Sequence, residues 1–328
     1  MTSKASFLEP IDPATYTPKA SDYLALLIFE QPQEDLSKAL SRLQPHGKYK
    51  IGVINRASTG DIAPFLEKTK ELRIPLLFVQ PRPPAFHQLT HGQNAFSVNI
   101  VSPGSALRTD LAAQFITHPQ SSNVSWIGYQ TYLTPPELLA QMQARYFSPL
   151  RLGSYRENPA AAEPYIRHNH LNLIDLTAIR HSDAPDGLGK DPNGLYAEEV
   201  CQLAHYTGLS SRLEACYIYG YPKKSPILTR LVAQILWHLF ESLSTGQNED
   251  PCRPDQQMLF TTKEVHIGDK DHILHFLYSN QTGRWWIRLG APDGIFHFFP
   301  CTQEEYEKSL KGELPTTWLR HYQKMFFL

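Results

Sequence analysis

The sequence predicts an α/β protein with a mainly parallel sheet covered by helices on both faces. Three observations predict it. From Asp22 to Phe240, short apolar runs of strand length alternate with segments of helical periodicity. Those runs are continuous rather than alternating, which is the pattern of strands buried on both faces. Beyond Phe240 the character changes to a polar run and then a series of short strand candidates, so an antiparallel appendage is expected at the C terminus.

Residues 1–20 carry Pro10, Pro13 and Pro18 and read as an irregular arm. Strands are expected at Asp22 to Glu30, Tyr49 to Ile54, Ile74 to Val79 and Phe96 to Val101, with a further strand beginning at Val124 to Ile127. Between them, Leu36, Leu40 and Leu43 mark a helix at Gln33 to Leu43. Further helices are expected at Asp61 to Leu72, near Leu107 to Phe115, and at Pro135 to Tyr146, where Pro suits the first turn. Leu171 to Leu176 is a strand carrying Asp175. Asn193 is positioned to cap a helix from Gly194 to Thr207, with Glu198 and Glu199 near its positive end and Gly208 as its stop. After a strand at Ala215 to Tyr219, Ser225 and Pro226 open the clearest helix. Its Leu228, Leu231, Val232, Ile235, Leu236, Leu239 and Phe240 recur at helical spacing, so one face must be buried.

The run SLSTGQNEDPCRPDQQ resembles a linker and sets the expected boundary between a domain at 1–250 and an extension at 251–328. Strands are expected there at Met258 to Ile267, His272 to Tyr278, Arg284 to Leu289 and Ile295 to Phe299, followed by a helix at Gln303 to Lys311. Asn280, Gln281, Thr282 and Gly283 suit a hairpin turn. Trp285, Trp286 and Trp318 read as the packing core of this extension; no basic cluster accompanies them to make a base-stacking platform.

Composition narrows the function. The 328 residues suffice for a large core, and 31 basic against 32 acidic residues steer the chain toward neither nucleic acid nor a membrane surface. No signal peptide or membrane-spanning run is present, so a cytoplasmic setting is expected. Cys201, Cys216, Cys252 and Cys301 lack zinc spacing and read as buried thiols. Ser182, Ser210 and Ser211 lack the strand-to-helix GxSxG context, and there is neither a P-loop nor a GxGxxG phrase. His168 and His170 look like a metal pair, but at a helix-to-strand junction they read rather as surface residues. Asp183, Asp186 and Asp191 read as turn residues, with a calcium site as the other reading. Asp175, at the carboxyl end of a strand, is where an open α/β sheet builds its site.

An ordered series of phrases carries a resemblance. LNLIDLTAIRHSDAP from Leu171, PNGLYAEEVCQLAHYTGLS from Pro192, IYGYP from Ile218 and LVAQILWHL from Leu231 resemble the arginase, agmatinase and formimidoylglutamase family of ureohydrolases. WIGYQTYL at Trp126 to Leu133, RLGSYR at Arg151 to Arg156, GRWWIRL and ELPTTW are similar to its formimidoylglutamase branch. The similarity runs from about Tyr49 to the end; the amino-terminal quarter matches less well and is shorter. The resemblance implies a three-layer α/β fold with two manganese ions at the carboxyl ends of the strands. A bridging hydroxide there attacks a guanidinium or formimino carbon, and the metals lower the pKa of that water and clamp the intermediate. Rings or larger oligomers are also implied.

The ligand motifs depart from that family. Its first His falls near Arg82, and its Asp-x-His-x-Asp motif falls on the segment Ser102, Pro103, Gly104, Ser105 and Ala106. In its Asp-x-Asp motif Asp175 is kept and Thr177 replaces the second Asp; Gly220 stands where an acidic residue is expected after ACYIY. Between Leu76 and Leu107 there is no Asp or Glu, and the His residues are His87 and His91. An Arg82 about 5 Å from a divalent ion would repel it by roughly 7 kcal/mol at an effective dielectric of about 20. No cofactor is therefore expected. Asp175 reads either as a metal or substrate contact, or as a carboxylate bonded to nearby backbone or to Arg82. The expected function is a ureohydrolase-fold pseudoenzyme acting as a scaffold, regulator or small-molecule binder, with a protein partner or a small anion held near Arg82 and Thr177. The alternative is an active amidine hydrolase with a rearranged manganese site using Asp175, His87 or His91.

Overall fold

Among the described residues, nine strands form one sheet in the order β1-β3-β2-β4-β9-β8-β5-β6-β7, every neighbouring pair parallel. They are β1 (Leu8–Pro10), β2 (Ala25–Phe29), β3 (Ile51–Asn55), β4 (Leu76–Gln80), β5 (Phe96–Val101), β6 (Ser121–Tyr129), β7 (Ser148–Arg151), β8 (Leu171–Asp175) and β9 (Ala215–Tyr219). The computed structural model describes all residues except 1–6, 20–21, 32, 57–62, 91–94, 105–109, 168, 223–224, 247–248, 269–271, 293 and 328.

Alternate residues of a strand serve opposite cores. On β2, Ala25, Leu27 and Phe29 enter the largest apolar cluster, whereas Leu26 and Ile28 face a second one. The large cluster lies under helices α1 (Glu34–Ser41), α6 (Leu152–Glu157), α7 (Ala162–Arg167), α8 (Ala197–Gly208) and α9 (Pro226–Ser244). The other face is covered in two parts. Helix α2 (Ala63–Glu71) lies over one half, and α3 (Phe86–Thr90), α4 (Leu111–Thr117) and α5 (Pro136–Ala144) over the other. The expected helical face of α9 is buried, including Leu228, Val232, Ile235, Leu236 and Leu239 with no exposed surface. A residue every three to four positions on one side explains this, since those side chains stack along a single stripe.

A separate antiparallel sheet, β10 (Phe260–Ile267), β11 (His272–Ser279), β12 (Trp285–Gly290) and β13 (Phe296–Cys301), follows in chain order. Gly283, with φ +72°, completes the turn between β11 and β12. Helices α10 (Gln303–Ser309) and α11 (Thr316–Phe327) cover one face, where Trp285 is buried and Trp318 packs against the cluster. Trp286 is buried as well, beneath the Arg167 guanidinium.

Several expectations need correction. The amino-terminal arm is not wholly irregular: Leu8–Pro10 pairs in parallel with β3, and Pro10 is tolerated because the strand is at the sheet edge. Helix α8 starts at Ala197, three residues later than Asn193 would set, and its first N–H groups are satisfied by carboxylates. The Tyr196 N–H donates to Glu199 at 2.7 Å and the Ala197 N–H to Asp183 at 2.9 Å. Gly208 is the last residue of that helix, with Leu209 as its C-cap. Cys201, Cys216 and Cys301 are buried free thiols, but Cys252 is exposed.

Candidate functional site

A cleft of about 490 Å³ opens beyond the carboxyl ends of the central strands. The lining comes from the carboxyl ends of these strands and the residues just beyond them: Pro83 and Pro84 after β4, Ser102 and Gly104 after β5, Asp175 and Thr177 at the end of β8, and Tyr219 at the end of β9. Asp110, leading into α4, completes the polar lining. The register across β8 and β9 sets Asp175 directly beside Tyr219.

Asp175 is half-buried and its Oδ1 is already occupied. It accepts the Thr177 backbone N–H at 2.9 Å and the Thr177 hydroxyl at 2.7 Å, closing a short turn on itself. Burial raises its pKa to about 6; the Thr177 bonds pull downward and the Asp110 carboxylate pushes further up. The same burial, with both carboxylates nearby, holds the Tyr219 hydroxyl well above its usual range.

The other expected positions divide. Ser102 is buried and borders the cleft, but its hydroxyl oxygen accepts the Trp126 indole N–H at 2.9 Å. At Gly104 a Cβ would stand 2.5 Å from the Leu133 carbonyl oxygen, so the turn against residues 131–133 admits no side chain. Gly220 has φ +84°, and a Cβ there would lie 3.5 Å from Asp175 Oδ1. That position therefore still faces the site, without a side chain to occupy it. Arg82 is exposed, and Pro83 and Pro84 form the wall where it was expected. The repulsion argued from Arg82 consequently does not operate, and the anion expected beside it would instead meet two carboxylates. Ala106 and His91 lie outside the described residues; His87 is exposed on α3.

Two residues of the cleft escaped the sequence reading, Asp110 and Tyr219. Asp110 is the first carboxylate after the acid-free stretch that ends at Leu107, which was the available signal. His170 is at the opposite end of β8 from Asp175, its Nδ1 bonded to Ser97 Oγ at 2.7 Å. The loop aspartates act as helix clamps. Asp183 holds the Ala197 N–H and Arg180, and Asp186 accepts the Ile227 and Leu228 N–H groups at 2.8 and 3.1 Å.

No protein-family model and no curated protein matches the chain. Solved structures do. A formiminoglutamase from Trypanosoma cruzi, solved with manganese, is similar over 71% of this chain and 96% of its own at 13% identity and a TM-score of 0.55. A formimidoylglutamase from Bacillus subtilis is similar over 73% and 91% at 10% identity and a TM-score of 0.54. The chain has the ureohydrolase fold. The agmatine ureohydrolase of Thermoplasma volcanium also shares it, over 69% of this chain and 91% of its own at 12% identity and a TM-score of 0.50.

A ureohydrolase fold brings the question of manganese to this cleft. Two hard divalent ions need several carboxylate and imidazole donors. The lining offers Asp175, bonded twice by Thr177, and Asp110, and among the described residues no group of three or more His, Cys, Asp or Glu is placed to hold a metal. The residues present do not fit a dimanganese centre. What the cleft does offer is a raised-pKa carboxyl, a second carboxylate and a phenol beside an apolar wall. That combination suits a neutral or cationic small molecule more than a metal-bound nucleophile.

Proposed function

We propose that this chain is a ureohydrolase-fold protein that works without hydrolysis, as a regulatory or scaffold protein able to take a small molecule at the strand ends. The observation that carries the reading is the state of the four strand-end positions. Asp175 is turned onto Thr177, Ser102 is engaged by Trp126, Gly104 has no room for a side chain, and Gly220 has none to offer. A bridging hydroxide would need ligands at those places. The formimidoylglutamase-type alternative would draw on Asp175, on His87, which is exposed on the helix after β4, or on His91.

Metal analysis and an activity assay test this together. The purified protein, incubated with excess manganese and then desalted, is expected to retain well under one equivalent and to leave formimidoylglutamate, arginine and agmatine unhydrolysed. Retention of about two equivalents with turnover of any of the three would overturn the reading.

A further inference from the structure

Three positive side chains meet at the amino-terminal end of β6. Arg145, the residue after α5, donates from Nη1 to the Ile116 and His118 carbonyls at 2.8 and 2.7 Å, and from Nη2 to those of Pro119 and Ser121 at 3.3 and 3.0 Å. Four acceptors fix its guanidinium, which lies 4.6 Å from the centre of the Phe147 ring. The Lys324 Nζ, on α11, lies 4.7 Å from the same ring and donates to the Ser122 carbonyl. Arg320, one turn earlier on α11, lies over the Tyr165 ring with its Nε buried and without a hydrogen-bond partner. Among the described residues no carboxylate is within ion-pair distance of any of the three.

Other lysines are paired. Lys38, Lys50, Lys68, Lys70 and Lys308 each face a glutamate, which favours the protonated amine. Lys324 meets the opposite surroundings: loss of water and two like charges favour the neutral amine, which is the nucleophilic form. The Phe147 ring and the Ser122 carbonyl attract a cation, but the net effect is downward. Burial first, then Arg145 and Arg320, bring the Lys324 pKa to about 8. The side chain stays partly exposed, so a solute can reach it. Ser122 is the second residue of β6, at the opposite end of the sheet from the strand-end cleft.

We propose that Lys324 is a site of covalent acylation that takes its acyl group from an acyl phosphate. The neutral amine attacks the acyl carbon and an N–C bond forms. The C–O bond to the phosphate breaks, its electron pair leaves with the phosphate, and one amine proton passes to solvent. The resulting amide keeps an N–H for the Ser122 carbonyl and carries no charge, so its repulsion from Arg145 and Arg320 disappears. The field of those two charges draws an anionic donor without either giving up its present contacts. This site is independent of the reading given to the strand-end cleft.

Time-resolved peptide mapping by mass spectrometry, on the full chain treated with limiting acetyl phosphate, tests the proposal. At pH 8 Lys324 should be acetylated at least about tenfold faster than Lys50 or Lys308, whose glutamate partners raise their pKa. The Lys324 rate should level off above about pH 8, while those of Lys50 and Lys308 keep rising to pH 10. With the neutral donor N-acetylimidazole the preference for Lys324 should persist but shrink. Arg320→Gln should slow Lys324 about threefold at pH 7, and Arg320→Lys should restore the rate. Acetylation of Lys324 no faster than that of Lys50 and Lys308, a rate still climbing at pH 10, an equal preference with both donors, or an undiminished rate in folded Arg320→Gln would each overturn the proposal. The first three readings use the unaltered chain, so they hold even if a variant fails to fold.

Discussion

Asp175 closes β8 and borders the strand-end cleft. Its position at the end of β8 is legible in the sequence, because the apolar run LNLI leads straight into it. Its partner is not legible there, since two hydrogen bonds to Thr177 depend on a local turn. Burial raises its pKa from 3.8 to about 6, so the fold favours the protonated form. The stability linked to that proton is complete below about pH 4 and is lost as pH rises through 6, an effect of at most about 3 kcal/mol. Asp175→Asn keeps an acceptor for both Thr177 bonds and removes the charge. Urea unfolding should find the variant more stable by about 1–3 kcal/mol at pH 8 and nearly unchanged at pH 4. A loss of stability at pH 8 would mean that the ionised carboxylate has a favourable partner in the native cleft.

Among the elements, strands were the most legible and helix starts the least. Continuous apolar runs locate β2, β4, β5, β8 and β9, whereas the start of α8 is set by carboxylates that reach it from Asp183 and Glu199. The Glu199 contact is local, three residues from Tyr196, but Asp183 is 14 positions from Ala197, and capping over that distance leaves no local signature. Asp186 shows it most clearly, since it is 41 positions from Ile227 in sequence and its two oxygens take the first N–H groups of α9. Asp186→Ala should cost about 1–2 kcal/mol of unfolding free energy. Asp191→Ala, in the same loop but exposed, should stay within about 0.5 kcal/mol. Equal effects in denaturant titration would reduce Asp186 to an ordinary loop residue.

At the scale of the molecule, the two sheets meet through a buried cation. Arg167, 4% exposed at the end of α7, has its Nε 2.7 Å from Glu163 Oε1 and donates from Nη2 to Glu163 Oε2 at 3.2 Å. It also donates to the Trp285 carbonyl at 3.2 Å and lies 4.1 Å above the Trp286 ring. Arg284, from the segment before β12, approaches the same carboxylate at 3.7 Å. Arg167→Ala removes one side of a largely desolvated pair and should destabilise the protein by about 3–5 kcal/mol in thermal or urea unfolding. Combining Arg167→Met with Glu163→Gln should recover part of that loss. A double variant as unstable as the single one would show that the Trp285 and Trp286 contacts, rather than charge pairing, carry the junction.

The sequence by itself determined the α/β class and the antiparallel extension, because apolar periodicity is a local property. Only the tertiary structure decided that Arg82 stands outside the cleft, that Asp110 and Tyr219 join Asp175, and that loop aspartates cap distant helices. Those outcomes depend on which strand ends and helix starts the sheet order brings together, and no local pattern in the chain records that order.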